Sequence, residues 1–160
     1  MKKNKKNKKA FSLMELLIII ALITITTGIA LAFVGSNKGR TELEAAANEV
    51  VSNLRETQNY ALTGKSAIGD NCVKYEFHAS SNSSDYSMIG YDEEDVVCGF
   101  NIDYHLSGKV EFDGDVSISF STPHGDVNAG NITLKKEPDN YYHVCINSAG
   151  LITKSITPCP

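Results

Sequence analysis

Four groups of residues in this chain have side chains able to do chemistry. Glu15 is the only charge in the 24 residues from Phe11 to Val34. Four cysteines, Cys72, Cys98, Cys145 and Cys159, could cross-link or hold a metal. The run Asp92-Glu93-Glu94-Asp95 could gather Ca2+ among clustered carboxylates. His78, His105, His124 and His143 could act as acids, bases or ligands. Spacing argues against most of this chemistry. No C-x-x-C occurs, and no histidine stands at ligand spacing from a cysteine pair. No G-x-S-x-G, H-E-x-x-H or phosphate-binding glycine loop is present. The acidic run lacks a coordination pattern and reads as a solvated loop, and His124-Gly125-Asp126 reads as a polar turn. The expectation is a protein that is not an enzyme, with no cofactor and no metal.

Glu15 is harder to dismiss, because of the element that must carry it. As a helix, the apolar run is about 36 Å long, enough to cross a hydrocarbon core of about 30 Å. A carboxylate near the start of such a span is costly and points to a function. Ahead of the span lie Lys2, Lys3, Lys5, Lys6, Lys8 and Lys9. From Phe11 onward, nine basic residues face nineteen acids. The positive-inside rule keeps the lysines in the cytoplasm and sends the acidic body across. Such a body attracts nucleic acid poorly, so no direct nucleic-acid binding is expected.

A cleaved secretory signal would use Ala30-Leu31-Ala32, but the apolar run is too long and has an acid at its edge. A lipoprotein would need a cysteine just after the run. A plain signal anchor explains the length and the lysines but not Glu15. The stretch AFSLMELL, residues 10–17, resembles the cleavage and methylation motif of type IV prepilins and pseudopilins. That family has a short basic leader, a small residue before the cut, a Phe after it and a Glu four residues further on. The resemblance implies cleavage between Ala10 and Phe11 by a membrane prepilin peptidase, methylation of the Phe11 amine, and a role for Glu15 in filament assembly. It also implies other pilin or pseudopilin subunits, an assembly platform and the cytoplasmic membrane as partners. The outer domain would then belong to a cell-surface or periplasmic filament. Two departures stand out. Ala10 replaces the usual Gly, which should slow processing. No Pro interrupts the apolar helix, so Gly28 or Gly35 would be its weak points.

Beyond the span, Gly35-Ser36-Asn37-Lys38-Gly39 reads as the membrane exit and a bend, after which the helix resumes. Leu43, Ala47, Val50, Val51, Leu54 and Ala61 form one apolar stripe, with Glu42, Glu44, Asn48, Glu49, Asn53 and Glu56 largely opposite. Thr63-Gly64-Lys65 is a stop. From Asp70 the period becomes two: Val73, Tyr75 and Phe77; Val116, Ile118 and Phe120; Ile132 and Leu134. The expected fold is α+β and pilin-like, a long N-terminal helix packed on one antiparallel sheet of about seven strands. The expected parts are a leader over 1–10, an assembly helix over 11–35, an amphipathic helix over 36–65 and a β-sheet region over 66–160.

Cysteines on the translocated side favour two disulfides. Of three possible pairings, sequence neighbours give Cys72–Cys98 and Cys145–Cys159. The second is similar to the disulfide-closed C-terminal loop of many pilins. The reading is a structural subunit, a minor pilin or pseudopilin. Its rival is a membrane-anchored extracellular binding module.

Overall fold

The structure is a computed structural model that describes residues 13–64, 72–137 and 140–160; for residues 29–37 it describes the backbone alone. One helix, α1, runs Leu13–Thr63. Among the described residues nine strands follow: β1 Lys74–Ala79, β2 Asp85–Tyr91, β3 Val97–His105, β4 Glu111–Phe112, β5 Val116–Ser121, β6 Asp126–Val127, β7 Gly130–Lys136, β8 Asn140–Ile146 and β9 Ile152–Ser155. The expected interruption at Gly35–Gly39 is absent. Each glycine costs a helix only about 1 kcal/mol, and no proline is there to remove a backbone donor. The helix ends where Gly64 takes φ 59°, a left-handed cap open to glycine at little cost.

The chain forms two compact units, Met1–Lys38 and Gly39–Pro160. In the second, the strands make two antiparallel sheets rather than one. The first has five strands in the order β3-β2-β1-β5-β6, the second four in the order β4-β7-β8-β9. Alternation reveals which side of a strand is buried but not which strand lies beside it. The two-residue strands β4 and β6 are too short to alternate at all.

The helical stripe and the alternating strand residues meet in one core. Leu43, Ala46, Ala47, Val50, Leu54, Tyr75, Phe77, Phe112, Phe120, Ile132 and Leu134 are all buried there. Asn53 corrects the sequence reading: it lies inside, not on the solvent side. Its amide donates to Tyr86 Oη at 2.7 Å, and Tyr86 Oη donates to Glu49 Oε1 at 2.8 Å. One turn on, buried Thr57 donates to the Asn53 carbonyl at 2.7 Å and lies 2.8 Å from Met88 Sδ. A helical period counts Asn53 as polar and hence outward. Tyr86 on β2 offers the partner that makes its burial tolerable.

Burial first, and then the bond to Glu49, push the Tyr86 hydroxyl above its ordinary value. The unfolded chain releases this proton near pH 10, where the folded chain keeps it. The stabilisation is therefore complete below pH 10 and is lost as pH rises beyond it. Tyr86→Phe is expected to destabilise the fold by about 1–3 kcal/mol at neutral pH, because Asn53 loses its acceptor inside the core. It should also flatten the loss of stability above pH 10. Urea unfolding at pH 7 and at pH 10.5 checks both effects, and an unchanged alkaline slope would count against this network.

Two disulfides close the unit. Cys72 joins Cys98 with Cα atoms 5.6 Å apart, and Cys145 joins Cys159 at 5.7 Å. Gly90, on β2, lies against the first. A Cβ there would stand 2.7 Å from Cys98 Sγ and 3.1 Å from both Cys72 Sγ and Phe100 Cβ. Gly90→Ala should therefore destabilise by about 1–3 kcal/mol through overpacking. The loss should shrink in a Cys72→Ala/Cys98→Ala background, where the clashing sulfurs are gone. A double-mutant cycle from denaturant unfolding measures the coupling, and additive effects would refute it.

Candidate functional site

Glu15 occupies the first turn of α1, where the partial positive charge of the helix N-terminus favours a carboxylate. Ala10 and Phe11 lie outside the described residues. From Leu13 to Gly28 every side chain is exposed, on all sides of the helix. Leu13 is 78% exposed, and even Ile19, the least accessible large apolar residue of the group, is 44% exposed. An ordinary surface helix hides one stripe, whereas one that is apolar all round requires cover from lipid or from other apolar helices. Among the described residues no helix is long and apolar enough to cross a membrane. The apolar run read from the sequence, Phe11 to Val34, extends at both ends past the described side chains.

The three threonine hydroxyls in this segment are already satisfied. Thr24 Oγ1 donates to the carbonyl of Ala21 at 2.8 Å and reaches that of Ile20 at 3.1 Å. Thr26 Oγ1 reaches the carbonyls of Leu22 and Ile23, both at 3.0 Å. Thr27 Oγ1 donates to the Ile23 carbonyl at 2.7 Å. The threonines thus turn their hydroxyls back onto the helix, suiting a water-poor surrounding. Their spacing in the apolar run was the signal for this, and the sequence reading passed over it.

The remaining candidates are scattered over the β-rich unit. At the β2–β3 turn, Asp92 Oδ1 accepts the backbone amides of Glu94 and Val96, each at 2.9 Å. Asp95 pairs with Lys74 at 2.6 Å, and this bond raises the lysine's pKa. Two of the four acids are thus engaged in shaping the turn and pairing with β1. His105 pairs with Asp85 at 2.6 Å on the surface, and His143 Nδ1 lies 3.1 Å from Thr133 Oγ1. His78 is exposed on β1, and His124 lies in the turn before β6. Among the described residues, no three His, Cys, Asp or Glu side chains are grouped to hold a metal ion.

The β-rich unit also carries an open groove lined by Asn82, Lys109, Glu111, Lys135, Lys136, Glu137 and Tyr141. Lys136 pairs with Glu42 and the Gly108 carbonyl, and Lys135 with Asn82, so the groove is not an uncompensated cationic site. Glu15, in its sheath of exposed apolar side chains, is therefore the best candidate for function.

Residues 5–31 match the family model of the prokaryotic N-terminal methylation motif. This supports a type IV prepilin- or pseudopilin-like protein. The match includes Ala10, Phe11 and Glu15 and stops before the β-rich unit begins. No curated protein and no solved structure matches the chain.

Proposed function

We propose that this chain is a structural subunit, a minor pilin or pseudopilin, of a type IV pilus-like filament or secretion pseudopilus. A prepilin peptidase cuts between Ala10 and Phe11, and the Phe11 amine is methylated. The apolar part of α1 waits in the membrane with the β-rich unit outside, and is then drawn into a bundle of like helices. The work is assembly rather than catalysis. The observation that carries this reading is the methylation motif at residues 5–31, which runs into a stretch of helix whose only acid is Glu15 and whose apolar side chains are exposed on every side.

Three features support it further. The backbone-bonded threonines suit both lipid and a helix bundle. Nineteen acids against nine basic residues after the leader suit an outward-facing body. Two disulfides suit an oxidising compartment.

Mass spectrometry of the mature N-terminus in the native host tests the reading. A chain starting at N-methylated Phe11 is the expected result. A start at Phe33 would mean a secreted protein and an uncut Met1 a simple anchor, and either would overturn the proposal.

A further inference from the structure

Strand β3 is nine residues long and ends its sheet, and among the described residues no strand pairs with its outer edge. Its ladder shows which backbone groups face that edge. The Leu106 amide donates to the Ser84 carbonyl at 2.8 Å, one step beyond the pair His105 and Asp85. Antiparallel strands alternate such positions, so Tyr104 and Ile102 also turn their amides and carbonyls toward β2. Those of Asn101, Asp103 and His105 point the other way, to the open edge. An edge of this kind is a template for a further strand.

The side chains beside the edge sort by face. Toward α1 lie Ile102 and Tyr104, half-buried with Tyr60 on the margin of the core. The Tyr60 ring lies 4.9 Å from that of Phe100, and the rings of Tyr104 and Tyr86 stack at 5.1 Å. Glu56 accepts from Tyr60 Oη at 2.9 Å at this margin. On the opposite face Asn101 and Asp103 are exposed, with His105, which pairs with Asp85. The three strands that end in this edge are acidic. From Cys72 to His105, seven acids stand against one basic residue, Lys74, which Asp95 already holds.

We propose that the open edge of β3 takes up an extended segment of another protein in which apolar and basic side chains alternate. Backbone bonds form with Asn101, Asp103 and His105. The apolar side chains cover Ile102, Tyr104 and Tyr60, and Lys or Arg side chains meet Asp103 on the other face. Charge decides the occupant. A second β3 edge brings the same acids and is repelled, whereas a basic strand is drawn in. The inference goes beyond the filament-subunit reading and does not draw on it, since neither Glu15 nor cleavage at Phe11 takes part.

The probe is a synthetic peptide of alternating lysine and valine, capped at both ends, with a peptide carrying serine for lysine as its neutral control. Calorimetric titration of the full-length protein in detergent micelles should show the lysine peptide binding about tenfold more tightly than the serine peptide. Asp103→Lys should cost about tenfold in affinity for the lysine peptide and leave the serine peptide within about twofold. Asn101→Pro removes one outward amide and none from the β2 ladder, so it should weaken both peptides about tenfold with no change in charge. Amide exchange followed by NMR separates strand addition from loose ionic attraction. When the lysine peptide binds, exchange at Asp103 and His105 should slow about tenfold, while Ile102 and Tyr104 keep their rates. Equal affinity for the two peptides overturns the proposal. So does an Asp103→Lys variant that binds the lysine peptide like wild type, or unchanged exchange at Asp103 and His105 in the bound state. A folded Asn101→Pro variant that binds undiminished overturns it as well. Urea unfolding checks the fold of each variant, and if Asn101→Pro does not fold, Asp103→Lys and the exchange rates decide. The mature N-terminus is read in a separate measurement, so failure of either reading leaves the other standing.

Discussion

Filaments sheared from cells carrying Glu15→Ala are expected to contain about a hundredfold less of this subunit than those carrying wild type. After the leader is removed, Phe11 carries a positive amine at the head of the helix. Glu15 follows four residues later, about one helical turn. Among lipid tails or packed apolar helices, either charge alone is costly, and the two attract strongly when paired. On the proposed reading, the acid of an incoming subunit would reach the amine of the subunit ahead and set the stagger of one helix against the next. A surface that is apolar all round slides easily, since it has no polar feature of its own to define a register. Removing one partner of a water-excluded charge pair costs about 3–5 kcal/mol, which is a hundredfold or more in the assembly equilibrium. Membrane insertion and both disulfides should be unchanged, because Glu15 belongs to neither the apolar surface nor the core of the β-rich unit. Immunoblots of sheared and membrane fractions measure the two quantities together. Wild-type amounts of the variant in the sheared fraction would sink this account of Glu15.

The second large effect is expected at Ala10. Ala10→Leu should stop processing, with the uncut form rising from a minor species to nearly all of the protein in the membrane. On the proposed reading, the peptidase closes around the residue before Phe11, and a branched four-carbon side chain would overfill a site that takes Gly or Ala. The reverse change, Ala10→Gly, should speed maturation. A pulse-chase that follows the loss of the leader by gel shift checks both. Normal maturation of Ala10→Leu would remove the prepilin reading.

The sequence by itself determined the chemistry of the N-terminus and the inward faces of the main elements. Basic leader, Phe11, Glu15 and an apolar run are local features, legible without knowing what lies beside them. The stripe Leu43, Ala47, Val50, Val51, Leu54, Ala61 was equally legible, since one helical period decides which side of a single helix is buried. So were the alternating residues of β1, β5 and β7. Strand partners were not. Among the described residues, nine strands in two sheets replace about seven in one, because pairing joins residues far apart in the chain and short strands carry no period. Asn53 shows the limit most clearly: its place in the helix was correct, but its burial depends on Tyr86, 33 residues away. The uninterrupted passage of α1 through Gly35–Gly39 shows another limit. Two glycines weaken a helix without ending it, and context decides. Only the tertiary structure could turn chain neighbours toward different sheets: Arg55 reaches the Ile152 carbonyl on β9, while Glu56 accepts from Tyr60, whose ring lies against Phe100 on β3. One step along a helix turns a side chain by about 100°, and what each then meets depends on how the strands are arranged around it.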